Sequence, residues 1–228
     1  MAQEKRIRRI GIIAGVPEEL AAFMPNHPRT EIDAGSMLIQ QISHDGREMH
    51  LACAGIGKVA AASAATLLHS RYDVELLVVI GTAGYIGHKE AGVFNIVAAL
   101  QADFGAQRSS GLEHYRAGTL PIGTPSIDAF ESFPIPDIQL PTARIATSDL
   151  FIECAIHAAR IRAALDVSLV DMETAAVAQT ADLLGIPWIA IKATTDDADG
   201  KGASNFVANL AAAARASAYA AEQALSLL

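Results

Sequence analysis

Short, continuously apolar runs recur along the chain, and alanine-rich stretches separate several of them. The apolar runs are "RIGIIAGV", "MHLACAGIG", "ELLVVIGTAG", "FNIVAAL", "ARIATSD", "VSLVDM" and "WIAIKATTD". The stretches "KVAAASAATLLHSR", "FIECAIHAARIRAAL" and "ETAAVAQTADLLG" carry apolar residues at helical spacing. Strands that are apolar throughout are buried on both faces of a sheet. The alternation therefore predicts a three-layer α/β fold, in which helices flank a mixed or mainly parallel central sheet.

Other segments depart from this alternation. The segment "MLIQQISHDGREMHLACA" places an "HDG" turn between two short strands, which predicts an antiparallel hairpin. Residues 105–142 are rich in Gly, Pro and Ser and lack a clear period, so we expect an excursion from the sheet that meets substrate or a partner subunit. Residues 204–228 predict a long helix. No linker or repeat divides the chain, and residues 1–228 are predicted to form a single domain.

The charge of the chain narrows its possible partners. A net charge of −8 disfavours a broad nucleic-acid or anionic-membrane surface, and the basic cluster "KRIRR" precedes the first strand as a solvated end. The amino-terminal residues do not resemble a signal peptide, and no apolar stretch is long enough for a membrane span. We therefore expect a cytoplasmic protein without nucleic-acid or membrane partners.

Cysteine and histidine give no sign of a metal or disulfide site. Cys53 and Cys154 lie in apolar surroundings, where free thiols that fill core space are expected. The seven histidines show no metal-ligand spacing. Neither a metal nor a cofactor is predicted.

Polar residues stand where several predicted strands end. They are Glu19, Thr82, Asp149, Met172 with Glu173, and Asp196. Because open α/β sheets bind ligands beyond the carboxyl ends of their strands, this recurrence predicts a pocket. From the residues alone, Asp196 could instead cap a following helix, and Glu173 could be a first-turn helix acid. Glu18 and Glu19 could equally begin a solvated helix.

Several blocks together resemble the nucleoside phosphorylase and nucleosidase superfamily. They are "IGIIAGVPEEL", "AGIGKVAAASAATLL", "VVIGTAG", "ATSDLFI" and "VDMETAAVAQTADLLGIPWIAIKATTDDADG". The resemblance is strongest to the 5′-methylthioadenosine/S-adenosylhomocysteine nucleosidases, and the last block is the most specific. It implies a nucleoside phosphorylase-like fold and an enzyme of methionine salvage that releases adenine from a 5′-modified adenine nucleoside.

The resemblance assigns roles to the carboxylates. Asp196 matches the general acid that assists the purine at N7, and a proton on it would require burial or an acidic neighbour. Glu173 matches the glutamate that binds the ribose hydroxyls, with Met172 as an apolar contact to the same sugar. Glu19 matches the glutamate that activates the attacking water, as hydrolysis through an oxocarbenium-like state requires.

Further residues are carried over as the lining of the substrate pocket. They are Val16, Ile56, Thr82, Asp149, Phe151, Ile152 and Phe206, of which Phe151 and Ile152 match the segment that holds the purine. Thr82 replaces a serine of the family. Core packing is an alternative explanation for Val16, Ile56 and Phe206. Members of the family are commonly homodimers, and residues 104–122 are the predicted contact with the partner.

Departures from the family pattern keep other activities open. "QADFGAQ" at residues 101–107 replaces a "YHD" segment, retaining an alignable Asp103, and together with residues 109–123 looks more like futalosine hydrolases. Lys192 replaces an arginine, and "GTAGY" replaces a "GSAGG" type of loop. A purine nucleoside phosphorylase would need a phosphate site, but the phosphorylase-like arginines are absent and Glu19 would repel phosphate. A nucleoside-binding module without catalysis is the alternative from outside the enzymes.

Overall fold

The computed structural model describes residues 7–34, 37–87, 92–196 and 202–228, with the side chains at 33, 34, 196 and 202–205 outside that description. The strands are β1 (Arg9–Ala14), β2 (Thr30–Ala34), β3 (Met37–His44), β4 (Arg47–Cys53), β5 (Leu76–Tyr85), β6 (Val93–Gln101), β7 (Gly105–Arg108), β8 (Gly111–His114), β9 (Phe130–Glu131), β10 (Thr142–Thr147), β11 (Leu169–Asp171) and β12 (Trp188–Asp196). The helices are α1 (Pro17–Ala22), α2 (Lys58–Tyr72), α3 (Ala155–Leu165), α4 (Thr174–Leu184) and α5 (Gly202–Ser226). Every predicted strand and helix forms.

The main sheet is mixed and closes on itself at one end. Its strand order is β11-β10-β6-β12-β5-β1-β4-β3-β2, and β9 pairs with β6. Strand β11 also pairs with β5, in the antiparallel sense, so that β5, β12, β6, β10 and β11 form a closed ring. The ring holds two parallel groups of opposite direction, because β12 is parallel to β5 but antiparallel to β6.

Helices cover both faces of the sheet, as the sequence predicts. Alternate residues of β5 and β12 face opposite sides, since successive side chains of a strand do so. Leu77, Val79 and Ala190 join the buried faces of α2 and α4 in one core. Val78, Ile80 and Ile191 join buried residues of α1 and α5 in another. These two cores confirm the three-layer α/β architecture.

The irregular segments are partly as predicted. The hairpin of β3 and β4 turns at Asp45 and Gly46, both with positive φ, as a two-residue turn of this kind requires. The excursion at residues 105–142 carries the small sheet of β7 and β8, and it returns to the main sheet through β9. Strands β2, β7, β8 and β9 were not predicted, and α1 was considered only as a solvated helix start at Glu18 and Glu19, whereas Glu19 is buried. Within the described ranges, no helix combines the length and apolarity needed to cross a membrane.

Candidate active site

A cavity of about 340 Å³ lies against the closed ring of strands. It is lined by Gly15, Val16, Glu19, Ile56, Thr82, Ala83, Gly84, Leu150, Phe151, Ile152, Val170, Asp171, Met172, Glu173, Thr195, Phe206 and Val207. The lining brings together nine of the predicted site residues, namely Val16, Glu19, Ile56, Thr82, Phe151, Ile152, Met172, Glu173 and Phe206. Asp196 ends β12 with its backbone opposite Gly84, but its side chain lies outside the described residues.

The strands reach this cavity differently from the prediction. Because β11 runs antiparallel to β5, with Val170 opposite Gly84, the strand ends do not all lie at one edge of a parallel sheet. They meet because the ring closes and brings the end of β11 beside the second half of β5. The ring closure, and not a common strand direction, therefore places Met172 and Glu173 near Thr82.

Among the described residues, Glu19 accepts four hydrogen bonds. Its Oε1 accepts from the backbone N and the Oγ1 of Thr82, both at 2.8 Å, and its Oε2 accepts from Gly15 N at 3.1 Å and Val16 N at 3.3 Å. Pro17 begins the helix and Glu19 is its third residue, a position from which a glutamate reaches back to the preceding amides. The carboxylate is thus fixed at the cavity wall although it is only 5% exposed.

Gly81 makes room for this carboxylate. A Cβ at position 81 would lie 2.6 Å from Glu19 Cδ, and Gly81 has a φ of +134°, which other residues rarely adopt. Glycine is therefore required here by both space and backbone conformation.

Glu173 lies at the beginning of α4 and is 8% exposed. Its Oε1 accepts a hydrogen bond from Gly57 N at 3.1 Å. Burial, followed by the negative charges of Asp171 and Glu19, raises the pKa of Glu173 to about 7 against the opposing effects of Lys192 and the Gly57 amide. This carboxyl group therefore changes its charge near neutral pH.

Lys192 is a buried cation behind the cavity. Its Nζ lies 3.1 Å from Asp171 Oδ2, and both side chains are 2% exposed. Burial alone would lower the pKa of Lys192, but Asp171, Glu173 and Glu19 together raise it. From the sequence, Lys192 is predicted only as a replacement of an arginine, and Asp171 is not predicted as part of the site. The sequence signal that could have indicated this ion pair is Lys192 itself, a charged residue inside the apolar run "WIAIKATTD".

Asp149 lies beside the cavity and bonds the start of α2. Its Oδ1 accepts from Lys58 N at 2.8 Å, and its own N donates to Asp103 Oδ2 at 3.1 Å. Lys58 Nζ lies 2.5 Å from Asp103 Oδ1. These contacts tie the loops after β6 and β10 to the helix that follows Ile56. Asp149 therefore lies next to the residues that line the cavity and is not itself one of the described lining residues.

The mouth of the cavity is apolar and contains aromatic rings. Phe151 and Phe206 meet edge to face, with ring centroids 6.1 Å apart. Ile56, Leu150 and Phe151 are each about half exposed or more. Such a surface favours a flat apolar group, since aromatic rings pack well against each other.

The polar part of the cavity carries negative charge. Glu19, Asp171 and Glu173 are the ionisable lining residues, and no Lys or Arg of the described chain belongs to the lining. A phosphate group needs converging cations or free backbone amides, whereas the amides of Gly15, Val16 and Thr82 at this wall donate to Glu19. Among the residues that the structure describes, no group of three or more His, Cys, Asp or Glu side chains is arranged to hold a metal ion.

Comparison with known proteins agrees with this geometry. Residues 9–226 match the phosphorylase superfamily. The chain belongs to this superfamily. Among its curated members, the 5′-methylthioadenosine/S-adenosylhomocysteine nucleosidase of Mycobacterium tuberculosis is 29% identical, with 82% of this chain and 85% of that protein covered.

Solved structures of the superfamily share the fold. The 5′-methylthioadenosine/S-adenosylhomocysteine nucleosidase from S. pneumoniae, solved with a transition-state inhibitor, superposes with a TM-score of 0.83 at 25% identity, covering 96% of this chain and 99% of that chain. The native futalosine hydrolase of Helicobacter pylori gives a TM-score of 0.85 at 22% identity, covering 97% of this chain and 99% of that chain. The fold is therefore common to nucleosidases with different named substrates.

Proposed function

We propose that this member of the phosphorylase superfamily is a purine nucleosidase that hydrolyses the N-glycosidic bond of a 5′-modified adenine nucleoside. The observation that carries the proposal is the meeting of two buried carboxylates, Glu19 and Glu173, at a cavity whose described lining holds no Lys or Arg. The identity to curated 5′-methylthioadenosine/S-adenosylhomocysteine nucleosidases supports the same activity.

The proposed reaction uses the two carboxylates differently. Glu19 accepts a proton from water, whose oxygen forms a bond to the anomeric carbon as the bond to the purine breaks. Glu173 accepts hydrogen bonds from the sugar hydroxyls and stabilises the positive charge that develops on the ring. Asp196, as the general acid, donates its proton to N7 so that the purine leaves as a neutral base, and Phe151 and Ile152 hold the purine. Met172 packs on the sugar, and the other lining residues enclose the substrate.

Water is the proposed acceptor, and adenine the proposed base. A phosphate ion would meet the negative wall formed by Glu19 and Glu173, with no lining cation among the described residues to offset the repulsion. The segment 101–107 keeps futalosine hydrolysis as a second candidate, because it departs from the nucleosidase pattern.

We further propose that residues 1–228 form one domain and that the protein is a homodimer. We propose that it acts in the cytoplasm, in methionine salvage, and that it needs no cofactor. One sheet holds ten of the twelve described strands, which supports a single domain. Residues 104–122 remain the proposed contact with the partner. Leu120 and Ile122 in this segment are 73% and 66% exposed, and exposed apolar side chains of this size favour burial in an interface.

The test is base release from 5′-methylthioadenosine, S-adenosylhomocysteine, adenosine, inosine and futalosine, each with and without phosphate. Phosphate-independent release of adenine is expected. A strict requirement for phosphate would make the protein a phosphorylase, and hypoxanthine release from futalosine alone would overturn the choice of base. Saturable binding of these nucleosides without any base release would favour the binding module.

The acid is tested separately. Asp196→Ala is expected to abolish base release while the circular dichroism spectrum and melting temperature stay close to those of the unaltered protein. An unchanged rate would refute the assignment of Asp196.

A further inference from the structure

The charges behind the cavity are unevenly paired. Asp171, Glu173 and Glu19 all raise the pKa of the single Lys192 ammonium. Among the described side chains, the ion pairs within 4.0 Å join Lys192 to Asp171 but not to Glu173 or Glu19. Lys192 thus forms its ion pair with Asp171, a carboxylate that has no role in the proposed reaction.

Asp171 is fixed by its neighbours on both oxygens. Its Oδ1 accepts from Thr147 Oγ1 at 2.5 Å, and its Oδ2 accepts from Thr174 N at 3.0 Å and also from Thr174 Oγ1. Thr147 Oγ1 in turn accepts from Ala175 N at 2.8 Å. The Asp171 carboxylate therefore holds the first turn of α4, directly after Glu173, and it uses acceptor sites that only the charged form offers in full.

Few of the described groups stabilise a negative charge on Glu173. Within the described part of the chain it accepts one hydrogen bond, from Gly57 N, and its charged neighbours are Asp171 on β11, Lys192 on β12 and Glu19 on α1. Two of these three neighbours carry the same sign of charge as an ionised Glu173. Its carboxyl group faces the cavity, where it can meet sugar hydroxyls.

We propose that Asp171 is a positioning residue for Glu173. It holds the Lys192 ammonium and the start of α4, so that Glu173 faces the cavity without an ion-pair partner. If Lys192 paired with Glu173 instead, the ammonium would occupy the carboxylate oxygens that the sugar needs. The inference concerns the site of the proposed function, but the arrangement of charges exists whether or not that function is correct.

The experiment is a carboxyl-carbon NMR titration of the ¹³C-labelled protein without substrate, with the Glu173 signal assigned from its loss in Glu173→Gln. In Asp171→Asn we expect the titration midpoint of Glu173 to fall by about one pH unit or more, because a like charge is removed and Lys192 gains Glu173 as its partner. In the double variant Asp171→Asn/Lys192→Met we expect the midpoint to return toward that of the unaltered protein. An unchanged midpoint in Asp171→Asn would overturn the proposal.

Matched variants separate positioning from a general structural role. Thr147→Val removes a neutral donor to Asp171 and keeps both charges, so the midpoint of Glu173 is expected to stay in place. If Asp171→Asn does not fold, Lys192→Met supplies the test: the midpoint should rise, since the cation that lowers the pKa of Glu173 among the described residues is lost, and an unmoved midpoint would again count against the proposal. Because no nucleoside is present, these outcomes are independent of activity.

Discussion

Glu173 binds a proton more tightly in the folded protein than in the unfolded chain. Its pKa rises from 4.5 to about 7, first through burial and then through Asp171. Between these two pKa values the folded state holds the proton and the unfolded state does not. The free energy of unfolding therefore falls as the pH rises from about 4.5 to 7, by up to about 3 kcal/mol from this residue. Above about pH 7, where Glu173 is ionised, this buried carboxylate therefore lowers the free energy of unfolding.

We expect Glu173→Gln to be more stable than the unaltered protein at pH 8 and to differ much less from it at pH 5. The amide has no charge to bury, and its oxygen can still accept from Gly57 N. Thermal melting at the two pH values measures the difference, and base release should be lost at both. A variant that is less stable than the unaltered protein at pH 8 would contradict the assigned burial cost.

At the same scale, the sequence predicts the carboxylates better than it predicts their partners. Glu19 and Glu173 were found because the spacing of whole blocks resembles a family. The pairing of Lys192 with Asp171 was missed, because it joins β12 to β11 across the ring and depends on strand order. Similarly, Asp149 was predicted from its place after a strand, but its carboxylate bonds the start of α2. A spacing pattern does not give the direction of a side chain.

At the scale of elements, the start of α2 is held by two carboxylates from outside the helix. Glu173 accepts from Gly57 N, and Asp149 accepts from Lys58 N. Gly57 itself offers no side chain for capping, so these contacts satisfy amides that a helix leaves unpaired. The residue before them, Ile56, lines the cavity. The position of the helix and the shape of the cavity mouth are therefore coupled.

We expect Asp149→Ala to lower the free energy of unfolding by about 1 kcal/mol, the usual cost of losing a helix cap, and to raise KM more than it changes kcat. Urea unfolding and steady-state kinetics measure the two effects. Asp149→Asn keeps an acceptor oxygen and is the matched control, for which a smaller loss is expected. Equal losses in the two variants would mean that the bond to Lys58 N is not the cause.

The elements that the sequence missed are those with weak local signals. Helix α1 has only six residues and is fixed by contacts from Glu19 and by its packing against α5. Strand β2 lies at the edge of the sheet and pairs only with β3 among the described strands. The apolar pattern of the sequence also does not predict the antiparallel pairing of β11 with β5, because a strand of three residues gives no information about which strand it pairs with. Long apolar strands were found because burial dictates their composition.

At the scale of the whole molecule, β5 is the strand on which the fold is centred. It pairs with β1 and β12 in parallel and with β11 in the antiparallel sense, and all but one of its residues are buried. Strand β5 also carries Thr82, Ala83 and Gly84 at the cavity wall. The part of the cavity wall that β5 carries therefore lies on a strand that is paired along both edges and almost wholly buried.

We expect the backbone amides of β5 and β12 to exchange hydrogen most slowly, and those of β7 and β8 to exchange much faster. Amides deep in a closed ring require sub-global opening, whereas a separate two-stranded sheet opens locally. Hydrogen exchange followed by mass spectrometry tests this within one sample, so the fast hairpin serves as the internal reference. Equal protection of the two regions would show that the ring is not the stable centre of the fold.

The excursion at residues 105–142 is anchored where it returns to the sheet. Strand β9 pairs with β6 through Phe130 and Glu131, and the Arg116 guanidinium lies 4.4 Å from the centre of the buried Phe130 ring. Between its two attachments the chain can change in length and composition without altering a strand of the ring. Because no residue of this segment is among the described lining residues of the cavity, we expect changes in its length to leave the positions of Glu19 and Glu173 unaltered.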